Sequence, residues 1–178
     1  MRRRARARAG AVLERDLEAF GACGLDVEGR SDLGATLVRA GRPSVQLELV
    51  PTGGRVFGGA FALEVSSAEP VLPRTAGLAA RGKGLVRLQR VMFRARAGDG
   101  AGARLAARLE ADPDLQRALA AVHFEQVRVE PDGRAVIRHM GGSLVWLLLP
   151  PMARPIPISL EQVRATLAAL DAFAAAGG

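Results

Sequence analysis

The sequence has few of the residues that mark disulfide-rich, metal-binding or aromatic-rich proteins. Its 178 residues include no tyrosine or asparagine, one lysine, one cysteine (Cys23) and two histidines, His123 and His139. A lone cysteine excludes an intramolecular disulfide and fits a reducing compartment. Cys23 and the two histidines show none of the spacings of a zinc site. We therefore expect no metal site, and no motif in the chain predicts a cofactor.

Long apolar runs are also missing. The longest, residues 144–149, has six residues, whereas a membrane-spanning helix needs ~20. A secretory leader needs an apolar stretch of about 7–15 residues after its basic start, but Ala11-Val12-Leu13 is followed directly by Glu14. We therefore predict a cytoplasmic protein without a transmembrane segment.

Arginine and small apolar residues dominate what is present. Hydrophobic residues make up 49% of the chain and charged residues 24%, which is typical of a globular domain with a full core. Arginine outnumbers lysine 24 to 1, and tyrosine, asparagine and lysine, which are absent or rare, all have AT-rich codons. The bias is typical of a GC-rich, bacterial genome, so it is no sign of selection for guanidinium chemistry.

The positive charge is concentrated at the start of the chain. Of the net charge of +7, residues 1–9 contribute five arginines and no acid, and the remaining 20 basic and 18 acidic residues sum to +2. We predict a disordered basic arm over residues 1–9, followed by a single domain over residues 10–178. Such an arm could contact nucleic acid or an anionic membrane without sequence specificity; the alternative is a disordered start with no such role. The candidate anion contacts are Arg2, Arg3, Arg4, Arg6 and Arg8.

Hydrophobic periodicity predicts a helix and then a β-rich region in the first half. Apolar residues within 12–20 recur at helical spacing, and Gly21 follows them. Residues 45–49 and 57–65 alternate apolar and polar side chains, and Gly53-Gly54 between them is typical of a hairpin turn. Residues 35–40 form a plausible preceding strand. We predict a loose segment over residues 67–84.

Strands and a helical pair are predicted in the second half. Residues 85–96 resemble a long strand with an irregularity near Arg90. Leucines over residues 105–119 indicate two helices joined at Asp112-Pro113. Residues 124–130 and 134–139 form a predicted hairpin. We expect residues 144–149 to form a central strand, covered on both faces and ended by Pro150-Pro151.

The closing helix carries a capping box. Ser159 precedes Gln162 at the spacing that lets each cap the other, and Ile158 and Val163 are placed as a hydrophobic staple. Leucines 160, 167 and 170 share one stripe with Val163. We predict an α+β fold: a mainly antiparallel sheet of about six or seven strands packed against an N-terminal helix, a central helical pair and a long C-terminal helix.

One stretch resembles a nucleotide-binding loop. GLAARGKG, residues 77–84, has two glycines separated by four residues and then Lys83, but Gly84 replaces the Ser or Thr that would bind magnesium. A phosphate-binding loop must also lead from a strand into a helix, whereas a strand pattern follows this one. We interpret residues 77–84 as a flexible glycine-rich loop.

Other polar residues lack a recognisable partner. Gly141-Gly142 before Ser143 does not form the strand-to-helix elbow of a nucleophilic serine and is typical of a hinge between strands. His139 fits a partly buried structural histidine, although histidine can also act as a general acid or base. Glu110, Asp112 and Asp114 are interpreted as helix caps and solvated charges.

Residues 141–163, GGSLVWLLLPPMARPIPISLEQV, combine a Gly/Ser/Val strand, a segment with Pro and Arg, and a helix opening with Glu-Gln. This stretch of the C-terminal third resembles the end of an uncharacterised bacterial (proteobacterial-type) family of unknown function. The resemblance implies a bacterial protein and assigns no activity. The matching positions are Gly142, Ser143, Val145, Pro150, Arg154, Glu161 and Gln162.

The leading functional hypothesis is a non-enzymatic binding or protein-interaction domain that uses its sheet face, a sheet edge or its basic arm. The alternative is an enzyme or small-molecule binder with a pocket between sheet and helices. For that alternative the candidate pocket residues are His139, Arg138 and Ser143. The sequence does not decide whether the protein is an enzyme, and it names no partner.

Overall fold

The structure, a computed structural model, describes residues 2–55, 58–83, 90–148 and 151–178. Four helices lie within these residues: α1 (Arg2–Gly21), α2 (Gly100–Ala111), α3 (Pro113–Val122) and α4 (Leu160–Gly177). Ten strands accompany them: β1 (Asp26–Ser31), β2 (Gly34–Val38), β3 (Val45–Arg55), β4 (Gly58–Ser67), β5 (Leu78–Lys83), β6 (Arg90–Ala95), β7 (Phe124–Val129), β8 (Ala135–His139), β9 (Ser143–Leu148) and β10 (Pro151–Ile156). The α+β prediction is confirmed, with more strands than expected.

All ten strands join one antiparallel sheet that forks at β4. Eight strands follow the order β1-β2-β3-β4-β8-β7-β5-β6. On the side of β4 away from β3, Glu64–Ser66 pair with β8, whereas Gly58–Phe61 pair with β9. Strand β10 pairs with β9. The short connection of Met140, Gly141 and Gly142 therefore lies at the fork.

The four helices pack on one side of this sheet. One continuous apolar core contains residues from every helix and from the inward positions of the strands. Phe93 of β6 meets Phe173 of α4 edge to face, with ring centroids 6.1 Å apart. Ala62 and Val136 are buried but lie outside this core, because their side chains point to the other side of the sheet. We call that other side the helix-free face.

Helix α1 begins earlier than the sequence predicted. The structure places residues 2–9 in its first turns, where a disordered arm was expected. Alternating Arg and Ala are good helix formers, and Ala9 is fully buried in the core. The predicted end of this helix at Gly21 is confirmed.

The helix pair and the closing helix follow the sequence prediction. The Asp112 carboxylate caps α3 by accepting from the Asp114 and Leu115 amides. The capping box of Ser159 and Gln162 is present at the start of α4. Three members of the predicted stripe are buried, but Leu160 is 44% exposed. Leu160 is the first residue of α4.

Two β-strand predictions differ from the structure, and a third falls partly outside the described residues. Gly53-Gly54 lie within β3 at a register shift and not between the two strands; residues 56–57 are outside the described part. Most of the predicted loop over residues 77–84 is strand β5, because both of its neighbours, β6 and β7, pair with it. Residues 84–89, the start of the predicted strand over 85–96, lie outside the described residues.

The predicted central strand over residues 144–149 corresponds to β9 as far as Leu148; residues 149–150 lie outside the described part. Strand β9 pairs with β4, but its other neighbour is the unpredicted β10, so β9 is one strand from an edge. Val145 is half-buried, so the described residues do not support coverage on both faces. Pro151 begins β10 instead of ending the sheet. Proline is tolerated there because an edge strand needs fewer backbone donors.

Candidate functional site on the helix-free sheet face

A charged network spans the centre of the helix-free face. Glu64 of β4 lies directly opposite Arg138 of β8, and Arg128 lies on the next strand, β7. The Arg128 Nη1 and Nη2 atoms donate to the two Glu64 carboxylate oxygens at 3.0 and 2.8 Å. Arg138 donates to Glu64 Oε1 through Nε at 2.8 Å and Nη2 at 2.6 Å. Arg128 Nε also donates to Glu130 at 2.5 Å.

The protonation states of this network are well defined. Burial raises the pKa of Glu64, but hydrogen bonds from Arg128 and then Arg138 outweigh burial and hold that pKa below its ordinary value. The bond to Glu64 is also the largest cause that raises the pKa of Arg128. Glu64 is therefore an anion held between two fixed cations. Arg128 is the cross-strand neighbour of Val136, one of the residues buried on this face.

A trough of about 470 Å³ runs beside this network, over strand β5. Ala79 forms its floor and pairs with Arg94 of β6 on one side and Arg128 of β7 on the other. Gly77 continues the floor with φ +92°, a backbone conformation that favours glycine, and a Cβ there would approach the Val129 carbonyl to 3.3 Å. The floor therefore lacks large side chains, while both walls carry arginine.

The outer edge of β6 is closed by side chains from the helices. The Gln116 amide accepts from Val91 N at 2.8 Å and donates to Val91 O at 3.1 Å, as a neighbouring strand would. Glu110 accepts from Phe93 N at 2.8 Å. The prediction that Glu110 is a cap or solvated charge is therefore wrong; β6 comes to lie beside it. Side-chain pairing of this kind blocks addition of a further strand at these positions.

The sheet separates two of the predicted pocket residues. Arg138 and His139 are consecutive in β8, so their side chains point to opposite sides. Arg138 belongs to the helix-free face, whereas His139 is buried beneath α4. Ser143 begins β9 and is also buried, and its hydroxyl donates to the carbonyls of Met140 and Gly141. The three residues therefore do not form one pocket.

The environment of His139 fixes its tautomer. Thr166 donates its hydroxyl proton to Gln162 O at 2.7 Å, so the Thr166 oxygen accepts from His139 Nε2, 3.2 Å away. His139 Nδ1 is buried without a hydrogen-bond partner among the described residues. Burial lowers the pKa of His139 to about 4. The ring is therefore neutral at physiological pH, as expected of a structural histidine.

A second buried ionisable group, Asp16 of α1, was not predicted. Asp16 is 2% exposed, and its Oδ2 atom has no partner among the described residues. Burial raises the pKa of Asp16 to about 7, against a smaller lowering by Arg15. Asp16 packs on the fork, where a Cβ on Gly142 would lie 3.0 Å from Oδ2 and 2.5 Å from Leu63. Asp16 occupies a position of the helix pattern that is otherwise apolar, and this position is the sequence feature that could have predicted its burial.

Other candidates take ordinary positions. Among the predicted arm residues, Arg6 lies 3.6 Å from Asp32 in an exposed pair, and Arg8 is exposed. Cys23 is a half-buried free thiol after α1, and His123 caps the end of α3. The described part of the chain contains no group of three metal-ligating side chains. No helix within the described ranges is long and apolar enough to span a membrane.

A second open cleft of about 690 Å³ lies between β6 and α2. Arg94 and Arg96 border both this cleft and the trough. The cleft also contains Asp99 and Glu110, and each carboxylate accepts a hydrogen bond from a backbone amide. Hydrogen bonds from the amides of Gly102 and then Ala76 hold the pKa of Asp99 below its ordinary value. The cleft therefore has carboxylates of its own, whereas the trough's one acidic lining residue, Glu130, is paired with Arg128.

A comparison with protein families identifies the family to which the chain belongs. The profile of the family described as "Protein of unknown function (DUF3156)" matches residues 19–176. The chain belongs to this family. The DUF3156 match confirms the expected likeness to a family of unknown function, but it covers nearly the whole chain and not only the C-terminal third. No curated protein matched the chain, and no solved structure did.

Proposed function

We propose that this DUF3156 protein is a non-enzymatic, cytoplasmic bacterial binding domain that contacts another protein through its helix-free face. Residues 10–178 would act as one domain in this role. The observation that carries the proposal is the asymmetry of the sheet: every described helix packs on one side, and the other side carries the fixed network of Glu64, Arg128 and Arg138. An antiparallel sheet can leave one face open to solvent, so this face is accessible to a partner.

The arrangement of charge supports a binding role. The arginines of the network are held by Glu64, so little side-chain entropy would be lost when a partner covers them. Charges held in a fixed pattern favour particular partners and speed their encounter. The closed edge of β6 favours the face over that edge as the contact surface, because Gln116 and Glu110 already occupy its backbone groups.

The proposal can be tested by site-specific photo-crosslinking in cells. A photoreactive residue is placed at Gln46 or Gln126 on the helix-free face, and at exposed Arg108 or Arg164 on the helices as matched controls. We expect discrete protein adducts from the sheet positions and none from the helix positions. Adducts from the helix positions alone would contradict the proposal, and so would no adduct from either sheet position.

The alternative, an enzyme or small-molecule binder with its pocket between sheet and helices, could use the cleft between β6 and α2, but none of its candidate residues, His139, Arg138 and Ser143, lines that cleft. His139 and Ser143 are buried and line neither of the two clefts described above. The binding role is therefore the one that the geometry favours.

We include in the same proposal a second, weaker contact, between the basic start of α1 and an anionic surface such as nucleic acid or a membrane. Arg6 and Arg8 are exposed, and Ala9 is the first buried residue among those whose side chains the structure describes. Deleting residues 1–8 should therefore change the free energy of unfolding by less than about 0.5 kcal/mol. The deletion should also abolish weak low-salt binding to DNA or anionic vesicles. Binding that survives the deletion would place the basic contact elsewhere.

A further inference from the structure

We propose that the trough over β5 binds an extended, acidic segment of a partner protein, with carboxylates at alternate positions. This inference rests on the proposed function, because it names the kind of partner that the helix-free face would take. The evidence is the shape of the trough, its unpaired charges and their spacing.

The shape of the trough fits one extended chain. Strands β6 and β7 flank β5, so the walls are separated by two inter-strand spacings, or about 10 Å. Gly77 and Ala79 leave the space between the walls open. The trough runs along the strand direction, and its walls carry long side chains on both sides. A peptide in β-conformation could therefore lie along the trough.

The charge of the trough is positive and available. Arg94 and Arg96 are exposed, and neither side chain has a hydrogen bond or ion pair within the described part of the chain. Arg128 and Glu130, on the opposite wall, are paired with each other. The trough therefore has two free guanidinium groups on one wall and a neutralised pair on the other.

The spacing of the free arginines selects the segment. Arg94 lies in β6 and Arg96 directly follows its end, and both border the trough; two residues of extended chain separate such side chains by about 6–7 Å. Carboxylates at alternate positions of an extended peptide have the same spacing. Each could accept a two-pronged hydrogen bond from one guanidinium group, the geometry that arginine and carboxylate prefer.

The test uses the purified full chain and a short fluorescent peptide of alternating Glu and Thr, with binding followed by fluorescence anisotropy at low salt. We expect saturable binding, and weaker binding of a peptide of the same composition whose glutamates are contiguous. A Lys/Thr peptide should not bind. The double variant R94A/R96A should weaken binding by about tenfold or more.

Matched controls isolate the trough. R154A/R164A removes the same charge from exposed positions elsewhere, Arg154 lying on the helix-free face, and should leave binding within about twofold. Ala79→Phe keeps both arginines but fills the floor, and it should abolish binding while the melting temperature stays unchanged. This variant therefore separates the contribution of the trough's shape to binding from the contribution of its charge.

Three outcomes would overturn the inference: no binding of the alternating peptide, equal loss of binding in R154A/R164A, or tighter binding of a single-stranded DNA of equal charge. These outcomes are distinguishable from failure of the proposed function. If crosslinks from Gln46, which lies outside the trough, persist in cells with R94A/R96A, the face binds a partner outside the trough and only the acidic segment is wrong. Loss of these crosslinks in R94A/R96A, but not in R154A/R164A, would support both.

Discussion

The two faces of the sheet are stabilised in different ways. The helix-covered face packs leucine, valine, alanine and phenylalanine into one core, and its only described aromatic pair joins β6 to α4. The helix-free face holds Glu64, Arg128 and Arg138 together by hydrogen bonds between charged groups. The stability of the helix-covered face depends on how its side chains fill the core, and the stability of the helix-free face depends on its ion pairs. Consecutive residues such as Arg138 and His139 therefore have opposite roles.

This difference also divides the residues that stabilise the fold from the residues that a partner can reach. A residue of the core is constrained by its neighbours and is not available to a partner. The helix-free face has free groups next to fixed ones, since Arg94 and Arg96 border the trough while Arg128 is tied to Glu64 and Glu130. The predictions below test whether the two faces respond as differently as their chemistry requires.

Truncation in the core should have the largest effect. Leu167 is 5% exposed on the stripe of α4, so Leu167→Ala should lower the free energy of unfolding by about 2–5 kcal/mol. Denaturant titration measures this change, which should not depend on salt. Arg164→Ala, on the exposed side of the same helix, is the control. If the two variants unfolded alike, α4 would not pack on the sheet as described.

Removing the central charge of the helix-free face should have a smaller effect that depends on ionic conditions. Glu64→Gln leaves two arginines without their anion, so we expect a loss of about 1–3 kcal/mol. Raised salt should shrink the difference from the wild type, because salt screens the remaining repulsion. Glu48→Gln is the matched control, since exposed Glu48 lies opposite Glu64 on β3. A salt-independent loss would show that Glu64 acts through packing.

Two buried groups should give opposing pH slopes. Folding raises the pKa of Asp16 from its ordinary value of 3.8 to about 7. Stability should therefore fall as pH rises from 3.8 to about 7. The pKa of folded His139 is about 4 instead of 6.5, so stability should fall as pH drops from 6.5 to 4. Each slope is about 1.4 kcal/mol per pH unit, and the two should nearly cancel where they overlap.

Single variants should uncover each slope. Asp16→Asn leaves only the contribution of His139, so stability should rise with pH between about 4 and 6.5. His139→Gln leaves only that of Asp16, and stability should then fall over the same range. Chemical denaturation at several pH values provides the measurement. Parallel pH profiles for the wild type and both variants would contradict this account.

The smallest expected effect is at the start of α4. Ser159→Ala removes the hydroxyl that caps the Gln162 amide at 3.2 Å, at a cost of about 1 kcal/mol. Ser159→Asp should restore most of that stability, because a carboxylate also accepts from the helix N-terminus. Denaturation midpoints in the order alanine, aspartate, wild type would support the cap; equal midpoints would refute it.

The sequence by itself determined the features that rest on local chemistry. The end of α1 at Gly21, the junction at Asp112-Pro113 and the capping box of α4 all depend on residues within a few positions of one another. Their backbone geometry follows from those residues. The alternating pattern likewise predicted which side chains of β3 and β4 face the core. The α+β class followed from the order of such elements.

Only the tertiary structure decided which distant strands meet. Glu64 and Arg128 are 64 positions apart, and nothing in either local pattern predicts their pairing. Strand β5 escaped prediction because β6 and β7 pair with it from both sides, which overrides the weak strand propensity of Gly82. The trough exists only because these strands come together in this register. Local propensity is weak beside long-range pairing, so the surface that we propose for binding could not be predicted from the sequence.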